Sequence, residues 1–456
     1  MKKVAIFGGS FNPPGLHHRR IVEELAASHQ FDEVLVIPCG GRPDKPSVND
    51  VAPIHRAAMV DLTFGNIPGV NVLLFDLEHD TYTPAFQLQE MFGKDAEVFH
   101  VVGADLVVGG AKGESPIQTS WKRGREIWES FNFTIVSRDG VALTSEDFPP
   151  HYRQLRNLHD SGASVNIREK IFHGESVMNL LTPEVASYIR RYGLYRGAEP
   201  RLVHNVSLSD AGFLFVVDEH NPSAVAYAET LREMEDQTTP RGVLVFGGDG
   251  TMLRAVRMHW RKRLPFVGIN QGHRGFLLNE FPPDFRHQLT AYHLPLLYVE
   301  ASDQGGVKHD GVAFNDAWVE RATLNTAWIE VRVNDRVVVE KLVGDGVLVA
   351  TPAGSTAYAS FMGATPSPIT AQTITLVGSN VDPAGWKKSI HSLDTRVEFR
   401  ALAPEYRPLR GAVDGVALGE VASLKVRISR IAAVELVFDP GEDIQRKLLN
   451  IQFPKN

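Results

Sequence analysis

One carboxylate, Asp249, lies in a glycine-rich turn directly after a strongly apolar segment. Residues 242–246 (GVLVF) predict a buried strand, and residues 247–251 (GGDGT) predict a sharp turn that follows it. Glycine lets the backbone approach a ligand closely. A carboxylate held in such a turn can orient a hydroxyl group and accept its proton. An ordinary strand–turn–helix with a solvated Asp249 gives the same pentapeptide, so this motif alone leaves both interpretations open.

Two further motifs follow predicted strands in the same half of the chain. Residues 268–277 (GINQGHRGFL) come after the apolar run 265–267, and residues 345–358 (DGVLVATPAGSTAY) run from a strand into a loop rich in hydroxyl groups. Such a loop offers backbone donors, hydroxyls and an aromatic ring within a short span, which suits a nucleotide. An Asn315-Asp316 pair lies between these motifs. In isolation the pair is an ordinary turn sequence, so its meaning depends on the combination.

The order and spacing of the four motifs resemble the NAD kinase family from about Arg201 to the C-terminus. The resemblance implies phosphoryl transfer from ATP, which carries Mg²⁺, to the 2′-hydroxyl of the adenosine ribose of NAD, giving NADP. It implies that Asp249 is the general base. The NAD-binding residues that it implies are Gly250, Thr251, Asn270, Asn315, Asp316, Asp345, Thr356, Ala357 and Tyr358. Diacylglycerol and sphingosine kinases share the first motif but lack the TPxGSTAY loop.

The chain departs from the pattern of this family at four places. Asp316 stands where the family usually has Glu, which shortens the reach of the carboxylate. Ala353 stands where Ser or Thr is common, which removes one hydrogen bond worth about 1 kcal/mol. The segments 363–364 and 376–380 differ most, and we expect altered ligand specificity or subunit contacts there.

The N-terminal residues 3–18 (KVAIFGGSFNPPGLHH) again predict a buried strand, a glycine-rich turn and a helix that begins near Leu16. The N–H groups at the start of a helix can bind an anion. A histidine in the first turn can donate a hydrogen bond to a phosphate. Without other context, exposed residues at a helix start are the simpler interpretation of His17 and His18.

This opening and further matches over the first 196 residues resemble the nicotinate or nicotinamide mononucleotide adenylyltransferases of the nucleotidyltransferase superfamily. The resemblance implies that the mononucleotide phosphate attacks the α-phosphate of ATP and expels pyrophosphate. It implies that His18 is catalytic and contacts the ATP phosphates. The ATP- and mononucleotide-binding residues that it implies are Gly8, Gly9, Ser10, Phe11, Lys45, Arg56, Gly103, Asp105, Trp121, Arg138, Ser164 and Arg168.

Two departures bear on whether this second chemistry is retained. Gly15 replaces the first His or Thr of the signature, and Val165 replaces a Thr of a phosphate-binding motif. One interpretation is an active but divergent enzyme in which His17 or Arg19 fills the gap. The other is a domain that binds nucleotide or is structural without catalysing the reaction.

Composition limits the class of protein. Of 456 residues, 43% are hydrophobic and 22% are charged, as in soluble globular proteins. A net charge of −7 argues against nucleic acid as a partner, and no apolar run is long enough to cross a membrane. Cys39 is the single cysteine, which fits a reducing cytoplasm, and the histidines lack zinc-ligand spacing, so we predict no protein-bound metal. We expect small-molecule nucleotides as partners, and also homo-oligomers.

The predicted organisation is α/β and multidomain. Residues 1–196 alternate strands and helices, which indicates a Rossmann-like nucleotidyltransferase domain with a parallel sheet. A Gly- and Pro-containing linker is predicted over 197–201, followed by an NAD kinase domain over 202–456. Within that domain, residues 202–290 predict an α/β subdomain and residues 291–456 a mainly β-rich one.

The predicted function is bifunctional NAD(P) biosynthesis. The alternatives are an NAD kinase with a regulatory N-terminal domain and a non-enzymatic NAD(H) sensor. The sequence does not decide whether the mononucleotide substrate is the amidated or the acid form. It also does not decide whether the phosphoryl donor is ATP or polyphosphate, or whether the acceptor is NAD or NADH.

Overall fold

The structure is a computed structural model that divides into two compact units, Met1–Arg201 and Leu202–Asn456. The division lies at the end of the segment for which the sequence predicts a linker. Two predicted site residues, Lys45 and Arg138, lie outside the described residues. The described residues are 1–42, 49–137, 140–141, 143–155, 163–209, 211–272, 275–382, 385–442 and 444–453. Among them, no helix is both long and apolar enough to cross a membrane.

The N-terminal unit is built on a parallel sheet. Its strands, within the described residues, are β1 (Lys2–Gly9), β2 (Glu33–Pro38), β3 (Val70–Val72), β4 (Ala96–Gly103), β5 (Asn132–Val136) and β6 (Tyr152–Leu155). Its helices are α1 (Leu16–Ala27), α2 (Pro53–Phe64), α3 (Phe75–His79), α4 (Ala85–Phe92), α5 (Pro116–Ser120), α6 (Gly124–Ser130), α7 (Ser164–Phe172) and α8 (Pro183–Tyr192). These elements confirm the predicted Rossmann-like fold.

The strand order is β3-β2-β1-β4-β5-β6, with each neighbouring pair parallel. The order therefore reverses direction between β1 and β4. In open parallel sheets, ligands bind at the carboxyl ends of the strands where this reversal occurs. Because β1 and β4 run through the middle of the sheet, their central residues are buried and, apart from His100, mostly apolar. The loops after Gly9 and Gly103 lie at this reversal point.

The C-terminal unit combines parallel and antiparallel strands. Its α/β part contains β7 (Val203–Ser207), β8 (Phe213–Val217), α9 (Pro222–Thr230), β9 (Gly242–Gly247), α10 (Asp249–His259) and β10 (Pro265–Asn270). The following strands are β11 (Gln288–Ser302), β12 (Lys308–Ala313), β13 (Asp316–Arg321), β14 (Ala327–Val333), β15 (Arg336–Gly344) and β16 (Gly346–Ala350). The remaining elements are α11 (Tyr358–Phe361), β17 (Thr373–Ser379), β18 (Ser389–Ser392), β19 (Val397–Ala401), β20 (Leu409–Val413), β21 (Val416–Val421), β22 (Ser423–Phe438) and α12 (Ile444–Gln452).

The long strand β22 joins the two parts of this unit. Its end pairs in parallel with β10 of the α/β part, while its length also pairs antiparallel with β11 and β19. Strands β18-β17-β16-β13-β20-β21 form a separate antiparallel sheet. The predicted succession of an α/β and a β-rich region is confirmed, but one sheet runs through both because β22 returns to the α/β strands.

Candidate functional site

The turn from β9 to α10 is an open backbone surface with Asp249 at its centre. A Cβ atom on Gly247 would lie 2.5 Å from Thr251 Oγ1, so the turn requires glycine there. Cβ atoms on Gly248 or Gly250 would meet nothing within 4 Å. Thr251 is buried under the turn. Asp249 is the first residue of α10. The first N–H groups of a helix favour an anion at this position.

The Asp249 carboxylate is held by the loop that follows β10. Its Oδ1 accepts a hydrogen bond from the Leu277 N–H at 2.9 Å, and its Oδ2 accepts one from the Phe276 N–H at 3.1 Å. Burial raises the pKa of Asp249, while the two N–H groups and the charge of Lys447 lower it. A half-buried carboxylate with a raised pKa is a better proton acceptor than a solvated one.

The glycine-rich loop after β10 lies against the β9 turn. Asn270 pairs in register with Gly247, and the Gln271 N–H donates to the Gly247 carbonyl at 2.9 Å. Asn270 Oδ1 accepts from the Gly272 N–H at 3.0 Å. A Cβ atom on Gly272 would lie 3.9 Å from the Cα of Gly248, so the two loops are neighbours at the edge of the sheet.

Asp414 holds the Asn315-Asp316 segment in place. Its carboxylate accepts from the N–H groups of Phe314 at 2.7 Å, Asn315 at 2.7 Å and Asp316 at 3.2 Å. Asp414-Gly415 resembles a late Asp-Gly pair of the NAD kinase family that helps form the active-site wall, but the predicted site residues do not include Asp414. In the structure Asp414 has a φ of 45°.

The side chains of this segment have unusual environments. Asn315 is 5% exposed, and its buried Oδ1 has no hydrogen-bond donor among the described residues. Burial, and then the charge of Asp414, raise the pKa of Asp316 to about 7. A buried acceptor without a donor is costly unless a ligand supplies one. Asn315 is therefore suited to a ligand amino group, and Asp316 to a ligand hydroxyl.

The loop after β16 packs directly on this segment. Thr351 Oγ1 donates to the Phe314 carbonyl at 2.7 Å and accepts from the Gly354 N–H at 3.1 Å. A Cβ atom on Gly354 would lie 2.0 Å from the Asn315 carbonyl oxygen, which leaves room only for glycine. Thr356 Oγ1 donates to the Ala353 carbonyl at 2.8 Å, which fixes the start of the predicted NAD-binding triplet 356–358.

Tyr358, the last of that triplet, remains 40% exposed. Its ring packs edge-on against Trp318, with centroids 4.5 Å apart. Burial, and then the negative charges of Glu320, Asp316 and Asp345, raise the pKa of Tyr358. Ala357, which precedes it, is half-buried.

Asp345 is engaged by protein groups in this structure. Its Oδ1 lies 2.6 Å from Arg321 Nε, and its Oδ2 accepts from Asn380 Nδ2 at 2.6 Å. Asn380 belongs to the segment 376–380, which departs from the NAD kinase pattern. That segment therefore touches a predicted NAD-binding residue directly.

One hydrophobic cluster supports all four motifs. It contains Met252 of α10, Phe276 and Leu277 of the loop after β10, Phe314 and Ala353. Ala353 thus has an apolar environment, in which a methyl group packs well. Among the described residues, no group of three or more His, Cys, Asp and Glu side chains could hold a metal ion.

In the N-terminal unit, the residues after β1 form a second candidate site. His18 Nδ1 accepts a hydrogen bond from the Gly15 N–H at 3.1 Å. Because Nδ1 acts as the acceptor, the neutral ring carries its proton on Nε2. The His18 ring packs edge-on against Phe11, with centroids 5.1 Å apart. The imidazole at the start of α1 is therefore fixed as a donor through Nε2.

His17 occupies the space that Gly15 leaves. A Cβ atom on Gly15 would lie 2.6 Å from the His17 ring, and the His17 and His18 ring centroids are 3.8 Å apart. Arg19 points elsewhere, because its Nε binds Glu23 at 2.7 Å and its guanidinium donates to the Thr63 carbonyl. Of the two residues considered as replacements, the structure brings His17 to the position.

Several predicted binding residues hold this loop. Ser164 Oγ donates to the Pro13 carbonyl at 2.8 Å, and Arg168 donates to the Asn12 carbonyl at 2.7 Å. Arg56 is 1% exposed and donates to the carbonyls of Ser10 and Cys39. These hydrogen bonds shape the loop backbone and leave Arg56 little freedom to reach a ligand. Ligand binding by all three residues stays a prediction.

The other predicted residues lie at the ends of β1 and β4. Gly8 and Gly9 are the last residues of β1, and Gly103 is the last residue of the adjacent strand β4, at the same edge of the sheet. Asp105 is exposed in the turn after Gly103, while Trp121 is half-buried at the end of α5. A Cβ atom on Gly103 would lie 2.4 Å from Asp105 Oδ1, which shows how tightly this turn is folded.

Comparison with known proteins identifies the C-terminal unit. A family model of the ATP-NAD kinase N-terminal domain matches residues 200–293. An NAD kinase from Hyphomonas neptunium is 32% identical over 216 residues, which cover 46% of this chain and 85% of the relative. The chain belongs to the NAD kinase family. Asp249 and the loops around it thus lie in the NAD kinase part of the chain.

The NAD kinase part follows an adenylyltransferase-like domain. A cytidylyltransferase-like family model matches residues 6–193. A probable nicotinate-nucleotide adenylyltransferase from Oceanobacillus iheyensis is 28% identical over 199 residues, which cover 43% of this chain and 97% of the relative. A crystal structure of an NAD kinase from Archaeoglobus fulgidus in complex with ATP covers 53% of this chain and 97% of that chain, with 21% identity and a TM-score of 0.41.

Proposed function

We propose that this chain is a bifunctional enzyme of NAD(P) biosynthesis. The C-terminal unit would transfer the γ-phosphoryl group of MgATP to the 2′-hydroxyl of NAD. The N-terminal unit would transfer the adenylyl group of ATP to nicotinate or nicotinamide mononucleotide. If the first product is NAD, it is the substrate of the second reaction.

The kinase proposal rests on the setting of Asp249. Its carboxylate stands at an open glycine turn, and the N–H groups of Phe276 and Leu277 fix both of its oxygens. In the reaction, Asp249 accepts the proton of the 2′-hydroxyl while that oxygen attacks the γ-phosphorus and ADP leaves. The open amides of the glycine turn and the start of α10 can donate to phosphate oxygens.

The ligand's other end would bind at the Asn315-Asp316 segment. Asn315 Oδ1 would accept a hydrogen bond from the adenine amino group, and Asp316 would accept one from a ribose hydroxyl. The buried Asn315 Oδ1, which has no donor in the part of the chain that the structure describes, supports this orientation. Tyr358 and the triplet 356–358 would line the same pocket.

The kinase is tested by replacing Asp249 with Asn. The amide keeps the shape of the side chain but cannot accept the proton, so we expect NADP formation to fall by roughly 10²–10⁴-fold. Asp310→Asn, an exposed carboxylate on β12, is the matched control and should keep wild-type activity. Wild-type activity in Asp249→Asn would contradict the proposed role.

The adenylyltransferase proposal rests on His18. No protein nucleophile is needed, because the mononucleotide phosphate attacks the α-phosphorus of ATP directly and pyrophosphate leaves. Catalysis then depends on donors placed around the developing charge. A neutral His18 with its proton on Nε2 is such a donor at the start of α1.

A second candidate function is an NAD kinase with a non-catalytic N-terminal domain. Val165 favours it, because this side chain is 46% exposed at the start of α7 and offers no hydrogen bond. One experiment distinguishes the bifunctional enzyme from an NAD kinase with a non-catalytic N-terminal domain. The chain is incubated with MgATP and each mononucleotide in turn, and the formation of pyrophosphate and dinucleotide is measured. His18→Ala should abolish dinucleotide synthesis and leave NADP formation from added NAD unchanged. No pyrophosphate from the wild type, with normal NADP formation, would favour the non-catalytic domain.

The remaining partner expectations are also proposals. We propose that the chain self-associates in the cytoplasm and binds nucleotides rather than nucleic acid, as its net charge of −7 suggests. Light scattering after gel filtration measures the oligomeric state.

A further inference from the structure

The C-terminal helix α12 reaches the loop that holds Asp249. Lys447 Nζ donates a hydrogen bond to the Leu278 carbonyl and lies 3.5 Å from the Gly275 carbonyl. These two carbonyls flank the Phe276 and Leu277 N–H groups that bind Asp249. One ammonium group therefore fixes the backbone on both sides of the two peptide donors.

A second carboxylate completes this arrangement. Glu442 Oε2 lies 2.9 Å from Lys447 Nζ, and Glu442 Oε1 accepts from the N–H of Glu280, further along the same loop. The side chains of Lys447 and Glu442 are only 13% and 6% exposed. Leu448, the next residue of α12, packs in the hydrophobic cluster that contains Phe276.

Stability alone is a weak reason for such a pair. Removing two charges from water costs free energy that their attraction often fails to offset, and apolar side chains of similar size commonly stabilise as well. The geometry gives another reason, because every hydrogen bond of the pair ends on the loop that orients the Asp249 carboxylate. The ammonium is also near enough for its charge to act on that carboxylate.

We propose that Lys447 is a positioning residue of the phosphoryl transfer, which holds the loop from Gly275 to Leu278 so that its N–H groups orient the Asp249 carboxylate. The proposal rests on the proposed kinase function. Lys447 itself touches no reacting atom. Its effect is on the geometry and the charge environment of the base.

The test is the pH dependence of kcat for NADP formation by the full chain. Lys447→Met removes the charge and keeps most of the length of the side chain. We expect kcat to fall about tenfold or more, with KM for NAD and ATP changing little. The acid limb of the profile should move to higher pH, because a nearby positive charge lowers the pKa of a carboxylate and its loss raises it.

Two further variants separate positioning from simple stabilisation. Lys447→Arg keeps the charge and should restore most of kcat and return the acid limb to its wild-type pH. Glu442→Gln keeps the ammonium but removes its counter-charge, so the acid limb should move to lower pH, opposite to Lys447→Met. This variant keeps the test decisive if Lys447→Met fails to fold, which thermal melting reports.

An unchanged kcat and an unmoved acid limb in folded Lys447→Met would overturn the proposal. So would a Glu442→Gln profile that coincides with the wild type. A wild-type chain that forms no NADP would instead contradict the proposed kinase function, which separates the two failures.

Discussion

The buried carboxylate of Asp316, which we propose binds the ligand, should lower the free energy of unfolding of the ligand-free protein. Replacing Asp316 with Asn should therefore stabilise the ligand-free protein. Burial and the charge of Asp414 raise the pKa of Asp316 from 3.8 to about 7. The folded state therefore favours the protonated form. The stability that protonation contributes is complete below pH 3.8 and is lost as the pH rises through 7.

The magnitude follows from that difference. A shift of about three pKa units, at about 1.4 kcal/mol each, corresponds to about 4 kcal/mol at pH 8. Asn at position 316 carries no charge and avoids this cost. For a unit of this size, roughly 2–4 °C per kcal/mol applies, so we expect the melting temperature to rise by roughly 10 °C at pH 8 and by little near pH 4.

The assay is thermal unfolding of the full chain between pH 4 and pH 8.5, with and without NAD. The transition of the C-terminal unit, which is the one to compare, is the transition that the destabilising Gly354→Ala variant moves. Asp310→Asn, which neutralises an exposed carboxylate, should leave the melting temperature of this transition unchanged. An Asp316→Asn melting temperature at pH 8 equal to or below the wild type would refute the reasoning. The same variant should raise KM for NAD, because the Asn amide only partly replaces a carboxylate as acceptor.

Three other predictions follow from single contacts. Gly354→Ala would place a Cβ 2.0 Å from the Asn315 carbonyl oxygen. We therefore expect KM for NAD to rise and the free energy of unfolding to fall by about 1–3 kcal/mol. Unchanged kinetics would contradict this prediction. His17→Ala should lower dinucleotide synthesis, whereas Arg19→Ala should not; assays of pyrophosphate release compare them. Burial lowers the pKa of His100 to about 4 from 6.5, so its contribution to stability is present above pH 6.5 and lost as the pH falls toward 4. In His100→Leu this loss should vanish, as urea unfolding at pH 7.5 and 4.5 can measure.

Much of the fold was predictable because its strands are apolar and end in glycine. The runs before Gly8 and Gly247 predict buried strands, and β1 and β9 are those strands. The course of β22 was not predictable in this way. Its alternating part indicates an antiparallel strand, but nothing local shows that Glu435–Val437 returns to pair with Pro265–Val267.

The residues of the candidate site also differ in how well the sequence predicts them. Groups that face an open surface, such as Asp249 and Tyr358, stand in loops whose composition marks them. Lys45 and Arg138 lie outside the described residues, so their predicted roles stay predictions. Arg56 could be recognised in the sequence, but its burial against the carbonyls of Ser10 and Cys39 could not.

The sequence predicts no contact for the two residues that hold the reactive groups through the backbone, although Asp414-Gly415 resembles a late Asp-Gly pair of the NAD kinase family. Asp414 binds N–H groups of Phe314 and its neighbours about a hundred positions away, and Lys447 binds the carbonyl of Leu278 across a longer separation. A bond to a peptide group depends on where the chain passes and not on which side chain it carries. The residue that binds a given peptide group cannot be identified from the local sequence. The roles of such residues become clear only when the structure shows the loops together. For the same reason, substitutions that preserve every motif can still disable the site if they alter Asp414 or Lys447.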